Sequence, residues 1–164
     1  NKGDIMRKTV SLGVIISLIS CLLFSVTASA TTVNDYNRTI EYLDNGDYIE
    51  TIISDDETDS EISLFSTKSI TKTKTSYYKN SSGTVLWTVA IKATFSYNGK
   101  SATCTSCSHT TTISAKTWSI KSASHSKSGN TATAKATATH KTRAGSSNHT
   151  ISVTIKCSPT GVVS

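Results

Sequence analysis

Thr84-Val85-Leu86-Trp87-Thr88-Val89-Ala90-Ile91-Lys92-Ala93-Thr94-Phe95-Ser96-Tyr97 is the stretch that decides the fold. Val85, Trp87, Val89, Ile91, Ala93, Phe95 and Tyr97 share one parity, and Thr88, Lys92, Thr94 and Ser96 share the other. Side chains alternate between the two faces of a strand, so the pattern predicts one long strand with a buried apolar side and a polar outer side. A turn at Asn80-Ser81-Ser82-Gly83 leads into it from Ser76-Tyr77-Tyr78, and Asn98-Gly99 leads out. Asn-Gly suits a hairpin turn because both residues tolerate positive φ, which predicts strand partners on both sides.

The same period recurs downstream. Thr131 to His140 sets Ala132, Ala134, Ala136 and Ala138 against Thr133, Lys135, Thr137 and Thr139. Small side chains at every second position favour close approach of a facing sheet that carries bulky groups such as Trp87 and Trp118. His149 to Cys157 directs Ile151, Val153, Ile155 and Cys157 inward and Thr150, Ser152, Thr154 and Lys156 outward. Ile113 to Ser124 supplies a strand or strand pair around Trp118 and Ile120, ahead of a turn at Lys127-Ser128-Gly129-Asn130. Roughly six to eight strands with no convincing helix predict an all-β, antiparallel β-sandwich of the immunoglobulin-like kind, with a small β-barrel as the alternative. The expected core is Val85, Trp87, Val89, Ile91, Phe95, Trp118, Ile151, Val153 and Ile155.

Upstream, Thr39 to Leu43 and Tyr48 to Ile53 flank Asn45-Gly46 and predict a further hairpin. Ser54 to Ser63 is acidic without periodicity and reads as a solvated linker. Met6-Arg7-Lys8, the apolar run Val10 to Val26 and Ala28-Ser29-Ala30 have the make-up of a secretory signal peptide cleaved after Ala30. Leu18-Ile19-Ser20-Cys21 resembles a lipobox, which would make Cys21 an acylated anchor, but the apolar run continues past it. Lys2-Gly3-Asp4 can be encoded by a purine-rich ribosome-binding sequence, so residues 1–5 read as an upstream extension of a bacterial reading frame. The expected organisation is a signal at 6–30, an acidic segment at 31–66 and a basic Ser/Thr-rich domain at 67–164, exported and without a transmembrane anchor after cleavage.

Charge is sharply divided between these parts. Phe65 to Ser164 contains no Asp or Glu but carries 12 Lys and Arg143, whereas Asp35 to Glu61 holds every acid beyond the signal. Such segregation reflects what a surface must attract, repel or mask. Paired-carboxylate hydrolysis and a Ser-His-Asp triad confined to the basic domain are thereby excluded, although acids from the N-terminal segment could contribute to one. No nucleophile elbow or other catalytic frame is visible, and no enzyme or cofactor is expected. Lys92, Lys135, Lys141 and Lys156 have the parity opposite to the apolar faces of their strands. With rows of Thr they predict a basic, hydroxyl-rich face for an anionic cell-wall polymer or glycan. Nucleic acid is disfavoured because few aromatics interleave with that face, and the same lysines could simply keep sheet edges soluble.

Export leaves Cys104, Cys107 and Cys157, so one disulfide and one leftover thiol are expected in an oxidising compartment. Cys104-Thr105-Ser106-Cys107 also has the spacing of a redox pair or half a zinc site, with His109 close by. No metal site is expected, because zinc needs a second paired set and His125, His140 and His149 are scattered.

Tyr77-Tyr78-Lys79-Asn80-Ser81-Ser82-Gly83-Thr84-Val85-Leu86-Trp87, Thr94 to Gly99, Trp118-Ser119-Ile120, Lys127 to Asn130 and Cys157-Ser158-Pro159-Thr160-Gly161 together resemble a family of small secreted β-rich proteins of Gram-positive bacteria. That family is known as a domain of unknown function. The resemblance covers about Thr67 to Ser164, and more loosely the hairpin around Asn45-Gly46, and implies export and a β-rich fold, with no activity to carry over. It also implies that Cys104 and Cys157 form the disulfide and that Cys107 is the free thiol. Two functions follow as expectations. One is a non-enzymatic extracellular or envelope binding module, and the other is an antimicrobial or toxin-like effector masked by its acidic segment.

Overall fold

The computed structural model describes residues 32–35, 37–55 and 67–164. The signal segment with Cys21, residues 1–5 and most of the acidic linker lie outside the described residues. Among the described residues, nine antiparallel strands follow in order: β1 (Thr32–Asp35), β2 (Arg38–Tyr42), β3 (Tyr48–Asp55), β4 (Lys68–Lys79), β5 (Val85–Tyr97), β6 (Ala102–Ile113), β7 (Trp118–Ser128), β8 (Thr131–Thr142) and β9 (Gly145–Lys156). They form a six-stranded sheet, β1 to β6, and a three-stranded sheet, β7 to β9, each in sequential order. The expected sandwich is present and no barrel closes. Its connectivity is two meanders, without the strand exchange between sheets of an immunoglobulin domain.

Between the sheets lies one core. Trp87, Val89, Ile91 and Phe95 from β5 meet Trp118 from β7, the four alanines of β8, and Ile151, Val153 and Ile155 from β9. Tyr78, Ala93, Cys104 and Cys157 complete it. The alanine row does admit bulky groups from the facing sheet, Trp87 among them, whereas Trp118 belongs to the alanines' own sheet. It reaches across to ring-centroid distances of 5.1 Å from Tyr78 and 6.3 Å from Trp87.

Three bulges break the period-two reading. In β5, Lys79 pairs with Val85 and Tyr78 with Trp87, so Leu86 is the extra residue. Val85, expected in the core, is instead half-buried on the side of Lys79, and Leu86 packs against the core. The Leu86 carbonyl accepts the N–H groups of Ser114 (2.9 Å) and Ala115 (3.1 Å) where the chain crosses between sheets. Thr105 is the extra residue in β6 and Lys121 in β7. A bulge leaves one residue unopposed and turns every following side chain to the other face.

The acidic hairpin is part of the larger sheet. β2 and β3 turn through Asp44 to Gly46, with Gly46 at φ 84° donating to Leu43 (3.0 Å), a longer loop than the two-residue turn expected at Asn45-Gly46. β3 then pairs with β4 from Tyr48 opposite Lys79 to Asp55 opposite Lys72, so Ser54 and Asp55, expected in the linker, end a strand. Glu50 is buried and held by Arg38 and Lys79. The hydrogen bond from Lys79 leads the forces that hold its carboxyl below the ordinary range, against the opposing effect of burial. The fold therefore favours the ionised form. Its contribution is present above the unfolded value of about 4.3 and disappears as pH falls through the lowered folded value. Glu50→Gln is expected to cost about 2 kcal/mol at neutral pH, less than a fully buried pair because Arg38 is half-exposed, and to flatten the acid limb of a stability–pH curve. Urea unfolding between pH 3 and 7 measures both.

Candidate functional site

The structure divides the four candidate lysines. Lys135, Lys141 and Lys156 project from the outer face of the three-stranded sheet, opposite in parity to the buried alanines and to Ile151, Val153 and Ile155. Lys92 lies on the outer face of the six-stranded sheet, on the far side of the sandwich. The register puts Lys156 opposite Thr131, Lys135 opposite Ser152 and Lys141 opposite Ser146. At about 3.3 Å per residue, the three ammonium groups line the strand direction with gaps of roughly 13 and 20 Å.

Between them the surface consists of hydroxyls and amides. Every outward position of β7, β8 and β9 beyond the Lys121 bulge is Ser, Thr, Asn or Lys. Cross-strand bonds Thr133–Thr154 (3.0 Å), Thr137–Thr150 (2.8 Å) and Thr139–Asn148 (2.8 Å) tie these side chains into ladders. Such pairs order a sheet face and leave its remaining donors aimed at solvent. The arrangement can hydrogen-bond and charge-pair with an extended anionic chain.

A second constellation occupies one end of the sandwich. Tyr78 Oη donates to Asp47 Oδ2 (3.0 Å) and lies 3.3 Å from His149 Nδ1, while Ser147 Oγ lies 3.0 Å from His149 Nε2. Trp118 stacks on His140 at 4.6 Å and touches His149 at 5.0 Å. Burial, and then the charge of His140, pushes His149 below the ordinary histidine value, against the pull of Asp47. The folded state thus resists protonating His149, so this contribution to stability is full above about pH 6.5 and is lost as pH falls through the depressed folded value. A hydroxyl, a neutral imidazole and an orienting group in line can draw a proton from Ser147. The chain is also a strut from the acidic hairpin to the basic domain. Single-residue parity gave no sign of it, because Asp47 lies in the β2–β3 loop, Tyr78 in β4 and His149 in β9.

The third constellation is the seam where the edge strands β6 and β7 meet. Cys104 N–H donates to Gly129 O (2.7 Å), and Lys127 Nζ reaches the carbonyls of Cys104 and Thr105. His109 Nδ1 and His125 Nδ1 are 2.6 Å apart. The expected Cys104–Cys157 disulfide is not formed, and Cys104, Cys107 and Cys157 are all free thiols. Cys104 and Cys157 donate instead to the carbonyls of Ser106 and Ser158, both at 3.3 Å. The Thr105 bulge brings Cys107 to the same face as Cys104, so the neighbouring thiol of Cys104 is Cys107. Burial pushes the Cys104 and Cys157 thiols up, which keeps them protonated and poor nucleophiles. Among the described residues no helix is long and apolar enough to cross a membrane. Comparison with family models, curated proteins and solved structures finds no match for this chain.

Proposed function

We propose that the protein is a secreted, non-enzymatic binding module that takes an anionic wall polymer or acidic glycan at or outside the cell envelope. The observation that carries this reading is the outer face of the three-stranded sheet, where Lys135, Lys141 and Lys156 stand in a field of Ser, Thr and Asn with no acid. Phosphate or carboxylate groups along a flexible chain would find both ammonium and hydroxyl partners there. That face offers no aromatic for base stacking, which favours a polymer without bases. The masked-effector alternative has weaker support, because the acidic β3 is paired along its whole length with β4.

Salt titration of binding to teichoic acid and to heparin tests the proposal. Affinity is expected to fall steeply with salt. The triple variant Lys135→Gln, Lys141→Gln, Lys156→Gln is expected to lower the log–log salt slope by roughly two to three, while Lys92→Gln leaves it nearly unchanged. Absence of binding at low salt, or equal effects of the Lys92 variant and the triple variant, would overturn the assignment.

A further inference from the structure

His109 and His125 are far apart in sequence, and strict alternation along their strands would turn both away from each other. From the buried Cys104, period two leads inward through Ser106 and Ser108 and leaves His109 outside. From the buried Trp118, it leads through Ile120, Ser122 and Ser124 and leaves His125 outside. The Thr105 bulge re-phases β6 so that His109 pairs with the inward Ile91, and the Lys121 bulge re-phases β7 so that His125 pairs with the inward Ala134. Two independent irregularities, one in each facing strand, are thus needed to bring the rings together. Bulges concentrate at sheet edges and beside functional sites, where they re-aim a side chain.

The result is a close approach of two ring nitrogens from different sheets. The Nδ1 atoms are 2.6 Å apart, with ring centroids at 4.9 Å and planes at 48°. At that distance one nitrogen carries a hydrogen and the other accepts it. A metal ion in place of that hydrogen would bind both. Metal–imidazole bonds of about 2.0–2.1 Å put cis nitrogens about 2.9 Å apart in a square-planar or octahedral ion and about 3.3 Å apart in a tetrahedral one. The smaller opening favours the former. His125 is exposed and His109 half-buried, so water has access to the remaining coordination positions. The nearest cation on β7, Lys127, has its ammonium held by the carbonyls of Cys104 and Thr105. Among the described residues no group of three or more ligands converges, so the protein supplies a two-nitrogen site.

We propose that His109 and His125 form a surface site for a borderline divalent cation, Ni2+ or Cu2+ in preference to Zn2+, that clips the six-stranded sheet to the three-stranded one. Titration of the exported protein with Ni2+ and with Zn2+, followed by calorimetry and thermal unfolding, tests this. One ion per chain with a micromolar Kd is expected, and at a hundredfold excess over Kd the Tm rises by roughly 5–10 °C. His109→Gln and His125→Gln should each abolish the rise, and His140→Gln should keep it. Ligand hyperfine splitting from two imidazole nitrogens in the Cu2+ spectrum of a Cys107→Ser protein gives a readout independent of stability. A missing Ni2+ effect in the wild-type chain would overturn the proposal. So would a rise that survives both histidine substitutions, or one lost in Cys107→Ser, which would place the metal on the thiols.

Discussion

A protein cut in the acidic linker and stripped of residues 31–64 is expected to lose most of its stability. β4 would lose the ladder that runs from Tyr48 opposite Lys79 to Asp55 opposite Lys72. Lys79 would lose Glu50, and Tyr78 would lose its acceptor Asp47. Ile49, which packs against the core, and the buried Ile40 would leave with the segment. Two isoleucines at about 1.5–3 kcal/mol each, with the pairing lost besides, amount to roughly 5 kcal/mol or more, comparable to the whole stability of a marginal domain. The long bare edge of β4 would then invite aggregation. Urea unfolding and light scattering of the cut protein measure both effects. A stable monomeric body with newly released antimicrobial or membrane activity would refute this reading and restore the masked effector.

Trp87→Ala should have the largest effect of any single core substitution. Trp87 is fully buried and stacks on Tyr78 at 6.0 Å. Truncation leaves a cavity between the two sheets, at a cost of about 3–5 kcal/mol. Trp87→Phe should cost far less than its lost area implies, because the Trp87 Nε1–H is buried without a partner among the described residues. Removing that donor relieves about 1–3 kcal/mol of uncompensated desolvation. Urea midpoints for the two variants decide the matter. A Phe variant as unstable as the Ala variant would mean that the indole N–H has a partner.

Acids and bases are segregated along the chain but joined in the fold, since Glu50 sits under Arg38 and Lys79, and Asp47 meets Tyr78. Part of the acidic segment is therefore structural. The unbalanced positive charge remains on the three-stranded sheet, where the acidic hairpin does not pair.

Sequence alone determined the all-β class, four of the hairpin turns and most of the core, because alternation and turn chemistry are local properties of a strand. Trp87, Val89, Ile91, Phe95, Trp118, Ile151, Val153 and Ile155 could be read from it, and all are buried. Val85, His109 and His125 could not, since their faces depend on an extra residue at Leu86, Thr105 or Lys121. A bulge is defined by two residues opposing one on a partner strand, and pairing of that kind exists only once the sheet has formed. Which lysines share a surface was likewise settled in three dimensions, because parity assigns a side chain to an outer face but not to a sheet. The tertiary structure alone separated Lys92 from Lys135, Lys141 and Lys156, and it brought two histidines from different sheets to 2.6 Å.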